Sequence, residues 1–189
     1  MGQPRHGQNS PVLRLTKELQ NQNDRDTFNI GDLNMNPPSG PTCACNCGNS
    51  RVTVHGPVLA RIICHCLICQ KIYQQPFADV VILNSRGVTI PPNQNIDFRT
   101  YRAQPAINRG RCAACALPVV GFLTAAPWPK LAFVPTKNFP TTAPMPSPAC
   151  HIFYHRRITD ARDHLPKYFS YLSSELAVTT LVLKKTLFG

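Results

Sequence analysis

The stretch Cys45-Asn46-Cys47-Gly48, then Cys64-His65-Cys66-Leu67-Ile68-Cys69, then Cys112-Ala113-Ala114-Cys115, decides how this chain is read. Two short cysteine pairs flank a third cluster, and the seven thiols divide into a closed set of four and an open set of three. Four thiolates complete the tetrahedron of a zinc ion, whereas three leave a position for water or substrate. The first arrangement fastens a fold, and the second can do chemistry. Any one pair alone reads as buried or idle thiols, but idle cysteines have no reason to cluster at ligand spacing.

The first thirty residues hold no apolar run of the signal-peptide kind, and no stretch reaches the ~18 apolar residues of a membrane span. The expectation is a cytoplasmic or nuclear chain with reduced thiols and no membrane partner. The cysteine count of 9 is odd, and neighbours spaced as CxC rarely reach bridging geometry. Metal ligation therefore outweighs a disulfide framework, and redox-inert thiolate ligation favours zinc over iron.

With 189 residues the chain reads as one domain plus tails. A hydrophobic fraction of 43% is enough for a core, but 19 prolines argue against long helices. The formal charge of +11 is placed unevenly. In residues 1–39, Arg5, Arg14, Lys17 and Arg25 balance Glu18, Asp24, Asp26 and Asp32, so the excess lies in the domain. Two zinc ions on seven thiolates leave about +8, which attracts anions: nucleic acid, a small anionic peptide or a thiol.

Residues 1–39 are rich in Gln, Asn, Asp, Pro and Gly and cannot bury enough surface to offset their ordering entropy, so they read as a largely disordered tail. A domain over 40–170 and a C-terminal extension over 171–189 follow. From Cys45 the pattern is strand-like: Arg51–His55, Ala60–Ile63, Phe77–Leu83, Val88–Ile90, Asp97–Tyr101, Val119–Leu123, Lys130–Val134 and His151–Tyr154. Short strands and turns at such spacing predict a mainly β fold of antiparallel sheets. The last stretch, Leu165 to Phe188, fits a helix or a strand equally.

Cys45-Asn-Cys47-Gly48-Asn-Ser-Arg51-Val52, Cys64-His65-Cys66-Leu-Ile-Cys69-Gln70-Lys71 and Arg111-Cys112-Ala-Ala-Cys115, with His151-Ile-Phe-Tyr154 and Asp163-His-Leu165-Pro166, resemble the glutathione-dependent formaldehyde-activating enzyme family, which includes the centromere protein V domain. The likeness covers residues 42 to 170. It implies a Mss4-like fold of coiled antiparallel sheets stapled by zinc, with few short helices. It also implies two zinc ions per chain: a structural one on Cys45, Cys47, Cys112 and Cys115, and a catalytic one on Cys64, Cys66 and Cys69 with its fourth position open to substrate. The implied activity is that of a carbon–sulfur lyase on a glutathione-related thiol adduct such as S-hydroxymethylglutathione, in detoxification or biosynthesis. Three departures from the family pattern stand out: Ala116 where a glycine is common, Gln70 where an arginine is, and no tryptophan around Arg156 to Asp163, between the late strand and the Leu-Pro motif.

Other residues stay open at this level. Cys43 competes with Cys45 for the first site, although Gly48 and Arg51 favour the Cys45–Cys47 alignment. His65 reads as a supporting or surface residue rather than a ligand. Cys150 and His151 are candidates to approach the open site as acid, base or fourth ligand, against the plainer reading of a free thiol and a structural histidine. Trp128 reads as pocket wall or core. The competing function is a non-enzymatic zinc-stabilised module whose basic surface engages nucleic acid or cytoskeleton. Against nucleic acid, the tail lacks a Lys/Arg block and the domain lacks an aromatic-basic stacking run.

Overall fold

The computed structural model describes residues 40–103, 107–123 and 130–188. The expected disordered tail, 1–39, and Trp128 lie outside the described residues. The described residues form ten strands: β1 (Thr42–Ala44), β2 (Arg51–Val54), β3 (Val58–Cys64), β4 (Ala78–Asn84), β5 (Val88–Thr89), β6 (Ile96–Thr100), β7 (Ile107–Cys112), β8 (Pro118–Leu123), β9 (Leu131–Pro135) and β10 (Cys150–Ile152). Two α-helices accompany them among the described residues, α1 (Leu67–Tyr73) and α2 (Tyr171–Phe188). The fold is mainly β, as the strand grammar predicts.

The strands form a three-stranded sheet, β1-β2-β5, and a seven-stranded sheet in the order β10-β3-β4-β9-β8-β7-β6. Successive residues of a strand face opposite sides of its sheet, so the central strand β4 shows what lies on each face. Val80 and Ile82 pack into a core with Ile62, Cys64, Cys69, Ile72 and Ile152. Val81 and Leu83 pack into a second core with Cys43, Cys45, Val52, Cys112 and Val119. The run Val80-Val-Ile-Leu83 is therefore apolar throughout because β4 is buried on both faces. The cysteine groups are divided by the same alternation, one on each side of the large sheet.

The fold class holds, with two refinements. The sheets are mixed rather than wholly antiparallel: β10 runs parallel to β3, pairing Cys150 with Ile62 and Ile152 with Cys64. A chain that leaves β3 and returns some ninety residues later is not bound by the hairpin geometry that makes close neighbours antiparallel. The helices are also not all short, since α2 has 18 residues. The prolines end at Pro166, so a proline content averaged over the chain says nothing about the segment after it.

Reciprocal bonds start α2: the Ser173 amide donates to Ser170 Oγ at 3.1 Å, and the Ser170 amide donates to Ser173 Oγ at 3.1 Å, a serine version of the capping box. Ser174, Ala177 and Val182 are buried, with Val178 and Leu181 packed beside the core, at the i, i+3, i+4, i+7, i+8 spacing of one helix face. The Phe153 amide donates to Ser174 Oγ at 2.8 Å and fastens the helix next to β10.

Candidate functional site

The first cysteine group is assembled by two tight turns. Between β1 and β2, the Cys45 amide donates to the Ser50 carbonyl and the Gly48 amide to the Cys45 carbonyl, both at 2.9 Å. Gly48 has φ +75 with open space where a Cβ would stand, so backbone conformation rather than crowding calls for glycine. At the end of β7, the Cys112 amide donates to the Leu117 carbonyl at 2.9 Å and the Ala116 amide to the Cys112 carbonyl at 2.8 Å. Ala116 holds φ 58, the left-handed conformation that the glycine common at this position would adopt freely.

These turns bring the Sγ atoms of Cys45, Cys47, Cys112 and Cys115 within 4.8 Å of one another. Cys45 and Cys47 Sγ are 3.4 Å apart, and Cys47 and Cys112 Sγ 3.6 Å. A tetrahedral zinc with Zn–S bonds of about 2.3 Å separates its sulfurs by about 3.8 Å, so this group could hold zinc with little adjustment. Cys43 is not part of it. It is fully buried on the opposite face of β1 from Ala44, opposite Val52, and burial pushes its thiol up to about 12.

Three different elements fix the second group. Cys64 ends β3, locked between Ala78 of β4 and Ile152 of β10. Cys66 precedes α1 and caps it, its Sγ accepting from the Cys69 amide at 3.4 Å. Cys69 lies one turn into α1. Their sulfurs also lie within 4.8 Å of one another. Hydrogen bonds from the Cys64 and Cys69 thiols draw the Cys66 thiol well below its ordinary value while those two thiols are pushed up, so the cluster favours one negative charge, on Cys66. This group, too, could hold zinc.

A cavity of about 780 Å³ distinguishes the two groups: Cys64, Cys66 and Cys69 line it, and none of the other four cysteines does. Its walls come from the large sheet, through Ile62, Val120, Leu131 and Phe133, and from α2, through Val178 and Val182. Arg102, Arg109 and Glu175 bring charge to the lining. Burial raises the Glu175 carboxyl above its ordinary value, against the opposing pull of Arg102. Arg102 Nη2 donates to the Tyr171 hydroxyl at 2.6 Å. The sequence reading missed all four of these residues, because nothing in the spacing of 102, 109, 171 and 175 links them to the cysteines.

Neither Cys150 nor His151 is placed among the three sulfurs. Cys150 is buried beside Ile62, and burial pushes its thiol up to about 11. His151 spends both ring nitrogens elsewhere: Nδ1 lies 2.9 Å from His65 Nε2, and Nε2 2.8 Å from Asp163 Oδ2. His65 is a supporting residue and not a surface one, at 2% exposure. Gln70 also acts on this loop, its Nε2 donating to the carbonyls of His65 and Arg156 at 2.7 Å each.

The profile of the family described as Glutathione-dependent formaldehyde-activating enzyme matches residues 41–156, more than half of the chain. Among solved structures, a crystal structure of a Rhodobacter sphaeroides protein is similar at 14% sequence identity and a TM-score of 0.43, over 55% of this chain and 91% of that one. A comparison with curated proteins finds no significant match. Both cysteine groups fall inside the matched span, and the chain belongs to the glutathione-dependent formaldehyde-activating enzyme family.

Proposed function

We propose that this chain is a carbon–sulfur lyase that makes or breaks the bond between a glutathione-related thiol and an electrophilic carbon, with zinc at Cys64, Cys66 and Cys69. The observation that carries this reading is the asymmetry of the two groups. Among the described residues the four-thiol set offers four ligands and none of them lines the 780 Å³ cavity, whereas all three cysteines of the other set do. A zinc held by three thiolates supplies a Lewis-acid position for a substrate sulfur or oxygen and lowers the pKa of a bound thiol.

The chain's own residues do the remainder. Cys64 and Cys69 are fixed by strand and helix, so the three sulfurs are presented with little freedom to collapse. In cleavage of a thiohemiacetal adduct, the hydroxyl proton leaves, the C–O bond becomes C=O, and the C–S electron pair returns to sulfur, which then takes a proton. Glu175 is the only carboxylate among the described residues lining the cavity, and we assign it the holding of that proton on its carboxyl. Arg102 and Arg109 give an anionic thiol such as a glutathione-related peptide its counter-charge. Apolar walls keep water from the adduct.

Turnover of S-hydroxymethylglutathione and related adducts by the zinc-loaded protein tests the proposal. Loss of turnover in Cys66→Ser with circular dichroism unchanged is the expected result. No turnover of any thiol adduct by protein carrying two zinc ions would mean that both metals are structural.

A further inference from the structure

The family match ends at residue 156, yet the cavity does not. Helix α2, wholly beyond the match, contributes Tyr171, Glu175, Val178 and Val182 to its lining. Val182 is 3% exposed and belongs to the same buried core as Cys64, Cys69 and Ile72. From the sheet, Ile62, Leu131 and Phe133 complete a predominantly hydrocarbon surface that begins at the three sulfurs. About 780 Å³ falls among sites that enclose a drug-sized ligand. A one-carbon group on sulfur would leave most of those walls facing water.

We propose that the cavity under α2 receives a large apolar group carried on the thiol adduct, an alkyl, isoprenoid or aryl chain of the electrophile, with Arg102 and Arg109 receiving the anionic end of the thiol. The inference rests on the thiol-adduct reading above and specifies its preferred electrophile: an apolar carbon skeleton larger than the single carbon of formaldehyde. Its physical basis is burial, since each methylene taken from water into such walls tightens binding about fourfold, the equivalent of ~0.8 kcal/mol. The charged residues set orientation, because an anion placed against the apolar side chains instead of the arginines would lose its hydration with no partner.

Calorimetric titration of the zinc-loaded full chain with S-methyl-, S-butyl- and S-hexylglutathione tests this. Affinity is expected to rise about fourfold per methylene across the series. In Val178→Asp that slope should collapse while S-methylglutathione still binds. Should Val178→Asp fail to fold, Thr179→Trp, at an exposed position lining the same cavity, should weaken only the longest chain. Equal affinity for all three compounds in the wild-type protein would overturn the proposal. A parallel series of butanoate, hexanoate and decanoate separates it from the lyase reading. A chain-length slope shared by these sulfur-free acids, with no preference for the glutathione series, keeps the apolar occupant and removes the thiol adduct.

Discussion

His65 Nε2 lies 2.9 Å from His151 Nδ1, a contact that ties the three-thiol loop to β10. A carboxylate only accepts, so Asp163 fixes the His151 proton on Nε2, and with both rings neutral His65 Nε2–H donates to His151 Nδ1. His65 Nδ1 is then a buried lone pair with no hydrogen-bond partner among the described residues. Both rings are almost wholly buried, at 2% and 3% exposure. His151→Ala removes a buried ring and leaves the His65 N–H without an acceptor, which should cost about 2–4 kcal/mol. His65→Phe removes the unpaired nitrogen along with the donor and should cost less. Urea midpoints of the zinc-loaded proteins check the order, and a reversed order would break the assigned direction of the bond.

Asp163 ends the same chain of contacts and gives it an acid limb. Lys167 Nζ donates to Asp163 Oδ1 at 2.9 Å and His151 Nε2 to Oδ2 at 2.8 Å, and together they hold the carboxyl down to about 2, from an ordinary 3.8. A carboxyl depressed in the folded chain takes its proton first in the unfolded one, so its contribution is present above pH ~4 and is lost as pH falls from ~4 toward ~2. The difference in urea midpoint between wild type and Asp163→Asn should therefore be largest above pH ~4 and shrink below it. A difference that stays constant down to pH ~2 would show that the carboxylate charge does not stabilise the fold.

Strands and ligand groups were legible in the sequence because each depends on local pattern. Alternation marks Arg51–Val54, an apolar run marks Val80–Leu83, and the CxC and CxxC spacings survive folding unchanged. The parallel pairing of β10 was not legible, since it depends on where a strand ninety residues away returns. Helix α2 resisted assignment for a different reason: Leu172, Leu176, Leu183 and Leu187 are apolar but exposed, so the helix is hydrophobic on its outer face too and its periodicity is blurred. Without α2 placed, the cavity and its residues Tyr171 and Glu175 could not be read either. The role of His151 turned on side-chain partners, and partners 12 and 86 residues away leave no mark in spacing.

Ala116 sits at φ 58 in the turn that presents Cys112 and Cys115. A Cβ in this region costs roughly 1–2 kcal/mol, part of which returns when glycine adds freedom to the unfolded chain. Ala116→Gly should then raise stability by about 0.5–1 kcal/mol with the metal content unchanged. Thermal unfolding of the two proteins at equal zinc loading is the check. A lower midpoint in the glycine variant would mean that neighbouring contacts, and not the turn, hold this conformation.

Cys112→Ser and Cys66→Ser should separate the two metal groups by what each does to the fold. Cys112 is 1% exposed and joins the end of β7 to the turn after β1, so the four-thiol group spans the two sheets. Removing one ligand there loosens elements distant in sequence, and a structural zinc of this kind contributes of the order of 10 kcal/mol to folding in small domains. Cys64, Cys66 and Cys69 are close in sequence, and β3, α1 and β10 remain packed around them by Ile62, Ile72 and Ile152. The wild type should carry two zinc ions, and Cys66→Ser one. Cys112→Ser should lose its cooperative thermal transition at ordinary temperatures, whereas Cys66→Ser should keep it and lose only turnover. The opposite pattern, a stable Cys112→Ser and an unfolded Cys66→Ser, would assign the structural metal to the cavity side and leave the lyase reading without its open site.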